Sequence, residues 1–315
     1  GAEAVARSAE AGAEARFVAG GTDLLVAMKQ GTQAPRRLVA LSDVAELRGI
    51  GDSPDGGLDI GAGEPLADLA HHAALEEIAP ALAQGCARVG HPQIRAMGTL
   101  GGNVCLDVRC HFVNRPAPWR EALGGCLKTD GPHCRSVIGA TRCTAALSGD
   151  TIAPLVALNS SARLLGPDGP RTVPVQALRL RDGRDPLGLR PHELVLSLHV
   201  PAPPADVRRR SAYHKWAPRR AVDFPLVSVA LVVDTDAEAR LVQLRVAVAA
   251  LGPQPRVVAG LDAFRGERLT PNVASAAADL VHARCHPLPN LLFDAAYRRE
   301  LLRVLVHRQL LAWAH

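Results

Sequence analysis

Aromatic residues make up only 3% of this 315-residue chain, and methionine occurs twice. Its 36 Lys and Arg against 31 Asp and Glu leave a net charge of +5, but the basic residues are spread out without aromatic interleaving, which argues against nucleic-acid binding. No stretch of about 18 uninterrupted apolar residues occurs, so no membrane-spanning helix is expected. No apolar segment follows a basic start either: GAEAVARSAEAGAEARF reads as an amphipathic helix rather than a signal peptide. Cysteine numbers seven, an odd count without a secretion signal. That argues against a disulfide framework and for the reducing cytoplasm, where thiolates are free to hold a metal. CxxC, GxGxxG and the P-loop are all missing, and with them the signatures of zinc knuckles, Rossmann dinucleotide sites and NTPases. No Ser/His/Asp or paired-carboxylate pattern proposes a catalytic residue, and His71, His72 and His91 lack partners at ligand spacing.

What is present is an ordinary globular composition, 48% apolar and 21% charged, with length for roughly two domains of ~150 residues. FVAGGTDLLVAMKQG reads as strand, glycine turn and helix start, followed by strands in RRLVALS and GGLDIGAG. HHAALEEIAPALAQGCARVG reads as one helix, GDTIAPLVALNS as a short helix, ARLLGPDGPRTVPV as a hairpin and HELVLSLHV as a strand. The Pro-dense PAPPADVRRR, residues 201–210, reads as a linker whose three arginines are a solvated loop. Beyond it FPLVSVALVVDTD and ARLVQLRVAVAALG should pair as antiparallel strands before the helices TPNVASAAADLVHAR and FDAAYRRELLRVLVHRQLLAWAH. The mixed order of elements predicts an α+β fold.

Two glycine turns, AGGTD at 19–23 and TLGGN at 99–103, carry the first chemical signal. Paired glycines let successive N–H groups converge on one concavity, which suits a phosphate, with Thr22, Thr99 and Asn103 as polar groups at the rim. The second signal is CHFVNRPAPWREALGGCLKTDGPHCRSVIGATRC, spaced C-x15-C-x7-C-x8-C from Cys110 to Cys143. Structural zinc favours close pairs of ligands, whereas an iron–sulfur core can be wrapped by a loop giving thiolates one at a time. The spacing thus favours iron–sulfur over zinc and over unliganded thiols, leaves all three open, and lets Cys105 compete as a ligand. Cys86 and Cys285 read as buried core thiols. By residue type alone, Asp150 is a helix cap and Lys215 a surface lysine.

Taken together, AGGTDLL, IRAMGTLGGN and AVDFPLVSVA resemble the FAD-binding (medium) subunits of the molybdenum hydroxylases, the family of xanthine dehydrogenases and aerobic carbon monoxide dehydrogenase. The cysteine segment, inserted between the second motif and GDTIAPLVALNS, resembles that of 4-hydroxybenzoyl-CoA reductase β subunits in CLDVRCHFVN, Trp119-Arg120, GGCLK and the four-cysteine spacing. The resemblance implies a two-lobed FAD-binding domain of vanillyl-alcohol-oxidase (PCMH) type over residues 1–204, with lobes about 1–48 and 49–204 and an insertion at 105–145. A smaller α+β domain of carbon monoxide dehydrogenase flavoprotein type, antiparallel sheet with helices, would follow over 205–315.

It further implies a first flavin loop of Phe17, Val18, Ala19, Gly20, Gly21, Thr22, Asp23 and Leu24, and a second of Thr99, Gly101, Gly102 and Asn103. Leu106, Asp150 and Lys215 match further flavin-contact positions. Cys110, Cys126, Cys134 and Cys143 would hold a [4Fe–4S] cluster, leaving Cys105 unliganded. Leu106 and Val113 depart from the pattern, where Gln and Tyr are expected. The chain would relay electrons between an external carrier such as ferredoxin, the cluster, FAD and the [2Fe–2S] centres of a small partner subunit. A large partner would hold the molybdopterin-type molybdenum cofactor, the whole forming a dimer of heterotrimers. Two other readings are a medium subunit of a hydroxylase acting on another substrate, and a zinc-stabilised binding module without redox function.

Overall fold

The computed structural model describes residues 1–314. Helix α1 (Ala2–Ala11) turns Ala4, Val5 and Ser8 inward. It is followed by β1 (Ala15–Val18), α2 (Leu24–Lys29) and β2 (Arg37–Ala40). Strands β1 and β2 pair in parallel, Phe17 opposite Val39. Next come β3 (Ile50–Asp52), β4 (Leu58–Gly61) and five short helices. These are α3 (Leu66–Leu69), α4 (Ala73–Ile78), α5 (Pro80–Ala87), α6 (Pro92–Met97) and α7 (Leu100–Val104).

The segment expected to be one helix, 71–90, is therefore two. Ala79 sits at φ −141°, ψ 56°, outside the helical region, because the ring of Pro80 disfavours that region for its predecessor. Pro80 then opens α5, where its missing N–H has no partner to lose.

Helix α8 (Ala117–Ala122) lies within the insertion and α9 (Ile152–Ala157) follows it. The hairpin β5 (Ser161–Gly166) and β6 (Gly169–Pro174) and then β7 (Leu194–Val200) complete an antiparallel sheet of order β3-β4-β7-β5-β6. Leu198 at its centre pairs with Ile60 on one side and Ala162 on the other, all three fully buried.

The second large sheet has the order β11-β10-β9-β8, built from β8 (Arg208–Trp216), β9 (Val227–Thr235), β10 (Leu241–Ala249) and β11 (Arg256–Val257). Arg208 to Arg210 are not a solvated loop but the first residues of β8, paired with Thr235 to Val233. Arg209 forks onto the buried Asp234 at 2.8 and 2.9 Å, a long-range partner that local composition does not reveal. Strand β9 is buried on both faces. Val229, Leu231 and Val233 face helices α10 (Pro271–Arg284) and α11 (Ala295–Trp313), while Ala230 and Val232 join the main core with Ile152, Leu155 and Leu82. A strand covered on both sides favours apolar residues on both faces, hence the run VALVV at 229–233 rather than an alternation.

The insertion has a small core of its own: Val108, Cys110, Phe112, Val113, Cys126, Cys143 and Ala145. Arg109 and Ala146 exchange backbone hydrogen bonds of 2.8 and 2.6 Å and so close its neck. Phe112 packs against Trp119 at 5.3 Å between ring centres, and the buried Arg120 of α8 donates to the carbonyls of Val113 and Arg115.

Candidate functional site

The two glycine turns meet. A Cβ on Gly20 would stand 1.8 Å from the carbonyl oxygen of Met97, so only glycine permits this approach, and one on Gly98 would lie 3.5 Å from Thr22 Oγ1. Gly21 sits at φ +67°. Among the described residues no protein acceptor takes the N–H of Gly20, Gly21, Thr22 or Asp23. The first turn, flanked by the half-buried Phe17, Val18, Ala19 and Leu24, thus offers a row of free donors at the surface, the arrangement that favours an anion.

The second turn braces the first. Thr99, buried, spends its Oγ1 accepting from the N–H of Gly102 at 3.2 Å, as cap of α7. Asn103 Oδ1 accepts from the N–H and Oγ1 of Thr151 at 3.1 and 2.8 Å, and the N–H of Gly101 donates to Ala62. Neither Thr99 nor Asn103 therefore stands at the rim, as residue type had suggested. Gly102 is the one exposed residue of this turn, and its missing side chain leaves that face open. The carbonyl of Leu106 accepts from Nη1 of the fully buried Arg179 at 2.9 Å.

Directly behind Asn103 lies Asp150. It is not a helix cap, and Lys215 is not a surface lysine: Asp150 Oδ2 accepts from Lys215 Nζ at 2.8 Å and Oδ1 from Tyr213 Oη at 2.6 Å, with both members of the ion pair about 95% buried. Lys215 Nζ also donates to the carbonyl of Arg88 at 3.0 Å. Burial pushes the Asp150 carboxyl up and outweighs the lowering by Lys215; burial and the Asp150 charge push the Tyr213 phenol well up. Together these contacts tie the second turn, α5 and β8 into one unit.

The third assembly is a pocket whose lining includes Cys110, Cys126, Cys134 and Cys143 with Phe112, Val113 and Lys128. Cys105 is outside it, packed at the edge of the main core, while Cys86 and Cys285 are buried in the two larger cores. Polar hydrogens are aimed at the sulfurs. The N–H of Phe112 donates to Cys110 Sγ at 3.4 Å and that of Val137 to Cys134 Sγ at 3.3 Å; Thr129 Oγ1 donates to Cys126 Sγ at 3.6 Å, and Ser136 Oγ lies 2.8 Å from Cys110 Sγ. A Cβ on Gly183 would come within 2.9 Å of Cys143 Sγ. Burial pushes the Cys143 thiol up to about 11, so a group bound there must displace its proton. The pocket is tied to the body through Lys128 of the insertion, whose Nζ donates to Gly183 at 2.8 Å as well as to Asp107 at 2.9 Å, and through Asn290, which donates to the carbonyl of Thr144. Ser and Thr within three residues of a cysteine were visible in the sequence; the reach of Asn290, and of Asp182, which accepts from the N–H of Cys143 at 3.0 Å, was not.

The chain matches the family profile described as FAD binding domain in molybdopterin dehydrogenase over residues 2–203, and that described as CO dehydrogenase flavoprotein C-terminal domain over 212–313. It is 29% identical to the carbon monoxide dehydrogenase medium chain of Hydrogenophaga pseudoflava, over 99% of this chain and 94% of that one. To the aldehyde oxidoreductase FAD-binding subunit PaoB of Escherichia coli it is 28% identical, over 91% and 89%. The solved carbon monoxide dehydrogenase of H. pseudoflava superposes with a TM-score of 0.77 at 26% identity, over 99% of this chain and 93% of that one. Quinoline 2-oxidoreductase of Pseudomonas putida 86, at 21% identity, gives 0.75 over 99% and 93% and shares the fold.

Proposed function

Because this chain belongs to the FAD-binding subunits of the molybdopterin dehydrogenases, we propose that it is the medium, electron-transferring subunit of a molybdenum-containing complex whose insertion carries a [4Fe–4S] cluster. The observation that carries the cluster reading is the convergence of Cys110, Cys126, Cys134 and Cys143, and of no other cysteine, on one pocket. Zinc–sulfur bonds of about 2.3 Å draw four sulfurs into mutual contact, whereas among the described residues no three potential ligands are gathered to grip a single ion.

When bound, the flavin supplies a carrier that passes electrons singly or in pairs, and the cluster one that passes them singly. The rest falls to the chain. The free N–H groups of Gly20 to Asp23 hold a diphosphate, and Gly102 leaves room beside it. Asp150 and Lys215 keep the second turn fixed from behind. Phe112 and Val113 keep water from the cysteine pocket, and the N–H groups of Phe112 and Val137 point at the sulfurs of Cys110 and Cys134. The domain division at 204/205, with a PCMH-type flavin fold before it, belongs to the same reading.

The partners are then a small [2Fe–2S] subunit and a large molybdenum subunit, in a dimer of heterotrimers served by an external carrier such as ferredoxin. Among the described residues no helix is long and apolar enough to cross a membrane. With the four-cysteine insertion, the complex acts like 4-hydroxybenzoyl-CoA reductase, removing a phenolic hydroxyl reductively. A second reading, a hydroxylase or dehydrogenase of another substrate, is favoured by the names of the relatives.

Anaerobic purification should give a protein with flavin absorption and about four irons per chain; a colourless, zinc-containing protein would falsify both readings. Cys126→Ser should lose the iron and still bind FAD when FAD is supplied in excess. The complex, supplied with 4-hydroxybenzoyl-CoA and a reduced viologen, separates the two readings: no turnover leaves the second.

A further inference from the structure

Arg109 stands at the neck of the insertion, next to Cys110, yet its side chain leaves the insertion. Its Nη2 is ion-paired to Asp23 of the first glycine turn, and the pair is largely buried, with 15% and 27% of the side chains exposed. Nη1 donates to the carbonyl of Asp107 at 3.1 Å, and the guanidinium lies 4.5 Å from the ring centre of Phe224 in the segment between β8 and β9. One side chain thus touches the first turn, the insertion and the C-terminal region. Asp23 makes the position consequential. Its carboxylate adjoins the four free N–H groups that suit a diphosphate, and an unneutralised carboxylate there would repel that ligand.

We propose that Arg109 is the positioning residue that couples the cysteine pocket to the flavin turn by neutralising Asp23. The proposal rests on the FAD and cluster reading above. With the four cysteines engaged, Cys110 is fixed and Arg109 is held on Asp23. With the pocket empty, the insertion slackens at Cys110, the ion pair opens, and the charge of Asp23 acts against the diphosphate. Such coupling is reciprocal: bound flavin holds Asp23, hence Arg109, and favours loading of the cysteines.

The test is FAD affinity, read by flavin fluorescence on the full chain, in iron-loaded and iron-stripped samples of the wild type, R109Q, R109K, D23N and the double variant D23N/R109Q. Stripping iron from the wild type should weaken FAD binding about tenfold, the scale of one charge-assisted contact. R109Q should be weakened by a similar factor with iron present and lose nothing more on stripping, whereas R109K should keep most of the affinity. D23N should restore affinity to R109Q, because what Arg109 removes is a charge; a purely structural role would not be rescued by deleting its partner. Additive losses from R109Q and iron stripping, or no rescue by D23N, overturn the proposal. Failure of the underlying reading has a different signature: the wild type then takes up no iron, or no FAD, whatever stands at position 109.

Discussion

The C-terminal sheet and the cysteine insertion are ordered by opposite means. Strands β9 and β10 bury Val229, Leu231, Val233, Val246 and Val248 completely or nearly so against α10 and α11, and Ala230 and Val232 against the main core. The insertion buries seven residues in a core that includes three cysteines, and is otherwise shaped by side chains reaching backbone: Arg120 on Val113 and Arg115, Arg135 on Gly125, Arg184 on Leu127. Ordering costs about 1–2 kcal/mol per residue in either place. Apolar burial offsets it in the sheet, but so small a core cannot do the same for the insertion, which therefore depends on cross-links. A group bound to four cysteines is one such cross-link, since metal binding and folding of a small segment draw on the same free energy.

That difference predicts where a mutation is felt. Leu231→Ala removes a fully buried side chain from the helix-facing side of β9 and should destabilise the whole chain by about 3 kcal/mol, as large-to-small core changes do. Denaturant titration followed by both far-UV dichroism and tryptophan fluorescence checks it; loss confined to one probe would break the comparison.

A smaller effect is expected from Glu193, whose side chain is nearly buried and receives Arg171 at 2.6 Å on each oxygen. The hydrogen bonds from Arg171 lower its carboxyl from an ordinary value of 4.5. The folded value thus lies below the unfolded one, so the stabilisation is present above about pH 4.5 and is lost as the pH falls through the folded value. Glu193→Gln should remove about 1.5 kcal/mol at neutral pH and flatten the acid side of the stability profile. Equal acid sensitivity in the two proteins would show that this pair does not anchor the first sheet.

How far the sequence foretold each region follows from the same contrast. Strands β9 and β10 of the C-terminal sheet were legible because burial left apolar runs in the sequence, VALVV in β9 and VAVA at the end of β10. The arginines at 208–210 were misread as loop because their pairing with Thr235 to Val233 is long-range. The helix at 71–90 was misread because Pro80 lies inside an otherwise periodic pattern. In the candidate site, glycine pairs marked the turns, but nothing local showed that Asn103 holds Thr151, that Asp150 holds Tyr213 and Lys215, or that Arg109 reaches Asp23. Each is an interaction between residues far apart in sequence, and spacing carries no trace of it. Cysteine spacing alone kept zinc and iron–sulfur both open, since a loop can close around either.

Arg120→Ala carries the comparison into the insertion. Losing donors to two carbonyls inside a small core should cost about 1 kcal/mol locally, seen as faster amide exchange across residues 110–126 with the global denaturation midpoint unchanged. A lowered midpoint would mean that the insertion is part of the main cooperative unit.

The smallest effect is expected at Ile138, a fully exposed apolar side chain in the turn between Cys134 and Cys143. Single exposed apolar residues contribute little to folding, so Ile138→Ser should change stability by less than about 0.5 kcal/mol and leave amide exchange of the insertion unchanged. The insertion is proposed to be held at its cysteines and its neck rather than by its outer surface, and this residue isolates that claim because it touches neither. Slowed or accelerated exchange at Cys134 to Cys143 in the isolated chain would show that the outer surface helps to set the pocket, and the contrast with the sheet would then be one of degree.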